Sequence, residues 1–157
     1  MAELKTNAMR ILTSGKVSFT THTYDAGDKI DAVSVAAKMG LPCEKVYKTL
    51  VTQGKTKSFY VFVLKADGEL DLKKAAKAVG EKSVEMIAVK DINKITGYIR
   101  GGCSPVGMKK QFTTVIDKNA ELLDTFVVSA GKIGYQIELS PKSLAELIGA
   151  KFEDILL

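Results

Sequence analysis

The sequence predicts a mixed α+β fold: a largely antiparallel, barrel-like sheet with surrounding helices, formed by residues 1–157 as a single domain. Three observations carry that expectation. Strand-like and helix-like stretches are interspersed irregularly, without the strict βαβ repeat of a doubly wound sheet. One stretch, SFYVFVLKA (58–66), is nearly continuous in apolar residues, as a central strand covered on both faces would be. Finally, 157 residues, 46% of them hydrophobic, can bury roughly 70% of the unfolded chain's surface in one core. No linker, repeat or low-complexity tract divides them.

The elements follow in order. Leu4, Met9, Ile11 and Leu12 recur at near-helical spacing and Gly15 stops them, which predicts a helix near 4–14. VSFTTHTY (17–24) alternates and is rich in β-branched and aromatic residues, as strands are. After the loop DAGDKI, Asp31 is placed to cap a helix that ends at Gly40. VYKTLVTQG (46–54) and SFYVFVLKA read as two strands joined by a short polar turn. A helix over 71–80 has Asp71 as its cap and Gly80 past its end, and a second, short one over 89–97 also stops at a glycine. Strands at 112–117, 125–131 and 134–139 precede a helix over 140–149, with Ser140 as cap and Pro141 in its first position.

The net charge is +5 and the isoelectric point near 9.1, a modest excess that favours encounter with polyanions. Cys43 and Cys103 form no CxxC pair, so neither a zinc knuckle nor a disulfide framework is indicated. The amino-terminal MAELKTNAMRIL lacks a long apolar run, and no stretch approaches the ~20 apolar residues that span a bilayer. The expectation is a cytoplasmic, reduced protein without a membrane partner.

The most informative stretch is GYIRGGCSPVG (97–107). Its glycines and Pro105 suit a loop whose backbone N–H groups approach a ligand closely, and such groups bind anions without any side chain. An ordinary tight turn has the same composition. Neither the GxxxxGK[ST] nor the GxGxxG spacing is present, so no nucleotide-binding loop is read here. Cys103 is either a nucleophile, activated by Arg100 and Lys109, or a small apolar filler between glycines.

Other candidates are single residues. His22, the chain's one histidine, is a general base or a structural strand residue. Lys48 interrupts an apolar strand pattern and either points into a pocket or snorkels to solvent. Ser129 sits at a second small-residue turn, SAGKIGY. Lys73, Lys74 and Lys77, with Lys109 and Lys110, form a solvated face or a phosphate-tracking patch.

Taken in order, HTYD, VYKTLV, LKKAAKAVG, TGYIRGGCSPVG and SAGKIG resemble the YbaK/EbsC family, and most of all its bacterial Cys-tRNA(Pro)/Cys-tRNA(Cys) deacylases. The resemblance runs from about residue 5 to 155. It implies the fold of the editing domain inserted in bacterial prolyl-tRNA synthetases. It also implies trans-editing: hydrolysis of the ester that joins a wrong amino acid to the 3′ end of tRNA(Pro), with prolyl-tRNA synthetase as a partner and no cofactor or metal.

The family's essential lysine then corresponds to Lys48, next to Thr49, and its GxxxP loop to Gly101 through Pro105, with Gly102 and Ser104 inside. Its aromatic residue after the first strand corresponds to Tyr24, and its second turn to Ser129 and Gly131. Cys103 replaces a residue that is often aliphatic, and Ala130 one that is commonly glycine. The implied chemistry is substrate-assisted: the cysteinyl thiol attacks its own ester while loop N–H groups hold the oxyanion and the lysines at 73, 74, 77, 109 and 110 hold the acceptor stem. An alanine-specific deacylase and a non-catalytic accessory of the synthetase remain as alternatives.

Overall fold

The computed structural model describes residues 5–157. Helix α1 spans Asn7–Ser14, capped by Thr6, whose Oγ1 accepts the Met9 N–H at 3.2 Å. Leu4, where the helix was expected to start, lies outside the described residues. β1 is Thr20–Thr23, shorter than the sequence suggests. Val17 donates its N–H back to Leu12 and helps close α1, so that N–H is not free to join the sheet.

α2 (Ala32–Met39) begins at Asp31, whose carboxylate accepts the Ser34 N–H at 3.1 Å. β2 (Tyr47–Gly54) and β3 (Phe59–Lys65) form an antiparallel hairpin. α3 (Leu72–Val79) starts at the Asp71 cap, and the short strand β4 (Val84–Met86) follows. A 3-10 turn at Val89–Asp91 runs into α4 (Ile92–Thr96). β5 (Thr113–Asp117), β6 (Phe126–Lys132), β7 (Tyr135–Leu139), α5 (Pro141–Ile148) and β8 (Lys151–Glu153) complete the chain.

The strands lie in two sheets, β1-β7-β6 and β4-β2-β3-β5-β8. Pairing is antiparallel except where β5 lies parallel to both β3 and β8. A single parallel bridge, Val46 to Val127, joins the sheets, and together they curve around the main core. α1 and α5 pack into that core through Leu12 and Leu144. β3 is central, as expected. Val61 and Val63 face the main core, while Phe62 and Leu64 face a second cluster against Ala75 and Ala76 of α3.

Candidate active site

β2 is only partly paired on the edge away from β3. Its start bridges β6 at Val46, and its end pairs β4 from Thr52 to Gly54. Between them the only backbone contact on that edge among the described residues is the Val51 carbonyl accepting the Ile87 N–H at 3.2 Å. A cavity of about 470 Å³ occupies the gap. Its walls come from β2, from the start of α2, from residues 86–92, from Arg100, Gly101 and Cys103 of the glycine loop, and from Ser129 and Gln136.

Lys48 and Thr49 both line this cavity. Lys48 pairs with Leu64 across the hairpin and Thr49 with Val63, so their side chains leave opposite faces of the strand. Burial pulls the Lys48 ammonium below its ordinary range, and the charges of Asp67 and Glu69 partly restore it. Among the described residues Lys48 has no ion-pair partner within 4.0 Å, which leaves a half-buried positive charge at the cavity wall. The Thr49 hydroxyl is buried and has no hydrogen-bond partner among the described residues.

The glycine loop is shaped from both sides. Gly101 has φ +85°, and a Cβ there would stand 2.8 Å from the Ile30 side chain, so glycine is required. Gly102 packs its Cα against the backbone of Lys132 and Ile133, with a Cβ position only 3.3 Å from the Ile133 nitrogen. Its N–H is spent on the Ile99 carbonyl at 3.0 Å. The N–H groups of Gly101, Cys103 and Ser104 meet no acceptor among the described residues.

Tyr98 locks this arrangement. Its hydroxyl donates to the Val106 carbonyl, and its N–H is accepted by Thr96 Oγ1 at 3.0 Å. Its ring lies against Gly131 and its hydroxyl against Gly107. Burial, then the neighbouring Cys103, pushes the Tyr98 hydroxyl up to about 12, so it remains a donor.

The remaining sequence candidates divide plainly. Ser129 lines the cavity and its Oγ accepts the Gly131 N–H at 3.2 Å. Ser104 and Pro105 are buried beneath the loop, where Ser104 Oγ accepts the Val106 N–H at 3.3 Å, and neither reaches the cavity wall. Tyr24 is also outside the lining, but its hydroxyl is buried without a partner among the described residues. Cys103 lines the cavity as a neutral thiol, because burial pushes it up to about 11 against the opposing hydrogen bond of Thr96. His22 is engaged elsewhere, its Nε2 2.7 Å from Glu138 Oε1.

Lys73, Lys74 and Lys77 lie on α3, which contributes nothing to the cavity. Lys74 is tied to Asp154 at 3.0 Å and to the Leu156 carbonyl at 2.8 Å. Lys109 lies over Gly97 and reaches the Lys94 carbonyl at 3.3 Å, while Lys110 is exposed beside it. Sequence reasoning missed Gln136, which is 6% exposed and pairs with Ser129 across β6 and β7. Its strand phase hides it, because Ile137 and Leu139 take the core phase and mark Gln136 as solvent-facing. Among the described residues no group of three His, Cys, Asp or Glu side chains could hold a metal ion, and no helix is long and apolar enough to cross a membrane.

Comparison with known proteins identifies the family and the fold. A family model described as an aminoacyl-tRNA editing domain matches residues 28–147. A relative from Enterococcus faecalis, provisionally named a Cys-tRNA(Pro)/Cys-tRNA(Cys) deacylase, EbsC, is 46% identical over 96% of this chain and 93% of its own. The proline–tRNA ligase of Burkholderia thailandensis is 28% identical over 69% of this chain, a match that spans 20% of the ligase. A crystal structure described provisionally as a trans-editing enzyme for prolyl tRNA synthetase superimposes with a TM-score of 0.84 at 23% identity, covering 99% of both chains. That likeness establishes the mixed α+β fold. The family model spans most of the chain and includes β2, the glycine loop and the second turn, and the chain belongs to the aminoacyl-tRNA editing domain family.

Proposed function

We propose that this chain, acting as one editing domain, hydrolyses the ester between cysteine and the 3′ end of mischarged tRNA(Pro), in trans to prolyl-tRNA synthetase. The observation that carries the reading is the cavity at the open edge of β2. There Lys48, Thr49 with its unpartnered hydroxyl, Gly101 and Cys103 line one cavity, and burial holds the Cys103 thiol neutral. Such a wall offers charge and N–H donors but no activated protein nucleophile.

Cysteine and proline are close in size, and one methylene in a pocket is worth only ~1–3 kcal/mol, so a synthetase benefits from a second, hydrolytic site. On this reading the substrate supplies its own nucleophile. The cysteinyl sulfur attacks the ester carbonyl, a C–S bond forms, and the C–O bond to the ribose breaks. The thiol proton passes to the departing ribose oxygen, and water opens the cyclic thioester to cysteine. On this reading the N–H groups of Gly101 and Cys103 receive the oxyanion, while Gly102 and the Ser104 hydroxyl brace the turn. Lys48 supplies a point charge for the developing anion or for the terminal nucleotide.

The test is release of labelled amino acid from Cys-tRNA(Pro), Ala-tRNA(Pro) and Pro-tRNA(Pro) by wild type and Lys48→Ala. Loss of cysteine alone, absent in the variant, is the expected result. Preferential loss of alanine would move the protein to the sister specificity, and loss of neither would leave a tRNA-binding accessory.

A further inference from the structure

A cavity that holds an aminoacyl ester leaves open how the rest of the nucleic acid is held. The charge distribution addresses this. Residues 88–110 carry five basic side chains, Lys90, Lys94, Arg100, Lys109 and Lys110, against one acid, Asp91. This short segment therefore accounts for four of the chain's five net positive charges. All five basic residues are exposed, and none has an ion-pair partner within 4.0 Å among the described residues. Lys109 reaches the Lys94 carbonyl at 3.3 Å, which brings its ammonium against the backbone of α4. Uncompensated like charges favour a polyanion.

The same segment builds the cavity wall, through Val89, Ile92, Arg100, Gly101 and Cys103. Val89 and Ile99, 57% and 56% exposed, lie among the charges and offer apolar faces to unpaired bases. α3 also carries exposed lysines, Lys73 and Lys77, without an ion-pair partner within 4.0 Å among the described residues, but it differs in its place and surroundings. It lines no part of the cavity, Lys74 is already bound to Asp154, and Asp71 and Glu81 flank its lysines.

We infer that the exposed strip of residues 88–110, rather than α3, carries the phosphates of a single-stranded RNA 3′ end and leads its terminal ester into the cavity. This rests on the editing reading above. It replaces the expectation that Lys73, Lys74 and Lys77 grip the substrate, and it adds Lys90, Lys94 and Arg100 to Lys109 and Lys110.

The experiment uses the full chain and an uncharged, fluorescein-labelled RNA hairpin with an acceptor-stem duplex and a single-stranded 3′ end. Binding is followed by anisotropy across a salt series. Lys90→Ala/Lys94→Ala is expected to lower affinity about tenfold and to flatten the slope of log K against log salt by about 1.4, since each single-strand phosphate contact contributes roughly 0.7. The Lys73→Ala/Lys77→Ala pair, run in parallel, is expected to lose less. Melting curves check the fold of both, and Lys109→Gln provides an independent variant of the strip. An equal or larger loss in the α3 pair overturns the inference, as does a blunt hairpin that binds as well as the overhanging one. If wild type still releases cysteine from Cys-tRNA(Pro) in either case, the editing reading survives. A wild type that neither binds the hairpin nor hydrolyses the ester overturns both.

Discussion

The ring of Tyr98 occupies the space that a side chain on Gly131 would need: a Cβ at that position would lie 2.9 Å from the ring. The contact ties the glycine loop to the end of β6, the strand that brings Ser129 to the cavity wall. Gly131 also has φ +95°, where L residues are strained.

Gly131→Ala therefore meets both a collision and a strained backbone. The cost is about 1–3 kcal/mol of stability, read as a lower urea midpoint. Deacylation is expected to fall more than tenfold even where the variant is fully folded, because displacing the loop moves its N–H donors. Activity equal to wild type would show that the clamp does not position the loop.

Lys48→Met is expected to separate function from stability. The folded state holds the Lys48 ammonium below its ordinary value of 10.5, chiefly through burial. Sustaining the charge at neutral pH is therefore a cost, and one that fades as pH rises towards 10.5. The variant should melt at or above the wild-type temperature at pH 7, with the advantage shrinking in alkali, while deacylation drops ~100-fold or more. A less stable variant at pH 7 would mean that Lys48 is structurally paired.

The parts of this fold legible in the sequence are those set by local chemistry. Asp31, Asp71 and Ser140 cap the helices that their spacing announces, each accepting an N–H from the first turn. β4 and β8 were not legible, because each has three residues and exists only through distant partners, β8 through its parallel register with Val115 to Asp117. The site shows the same division. Lys48 stands out as a charge in an apolar strand, and Gly101 as part of a glycine cluster. Gln136 and Tyr98 have no such signature, since their importance comes from what β6 and the glycine loop bring against them.

Cys103→Ser tests whether the protein supplies the nucleophile. The thiol is pushed up to about 11 by burial, so the thiolate is scarce at neutral pH. Serine keeps the size and the hydrogen-bonding capacity toward Thr96, and deacylation should stay within about threefold of wild type. A folded Cys103→Ser protein without activity would transfer the nucleophile from substrate to enzyme.

Acid should loosen the site through Glu138. This carboxylate meets Lys45 Nζ at 2.8 Å, the Thr125 hydroxyl at 2.6 Å and His22 at 2.7 Å. It thereby holds the residue leading into β2 against β7. The Lys45 hydrogen bond, followed by those from Thr125 and His22, lowers Glu138 from 4.5 to about 2. A carboxylate depressed in the folded state stabilises fully above its unfolded value, and that contribution is lost as pH falls from 4.5 towards 2. Melting temperature followed from pH 6 downwards should therefore drop across that window, by more in wild type than in Glu138→Gln. The variant should begin lower at pH 6, by ~1 kcal/mol. Parallel curves for the two proteins would show that the cluster contributes no pH-dependent stability and does not hold the strand that carries Lys48.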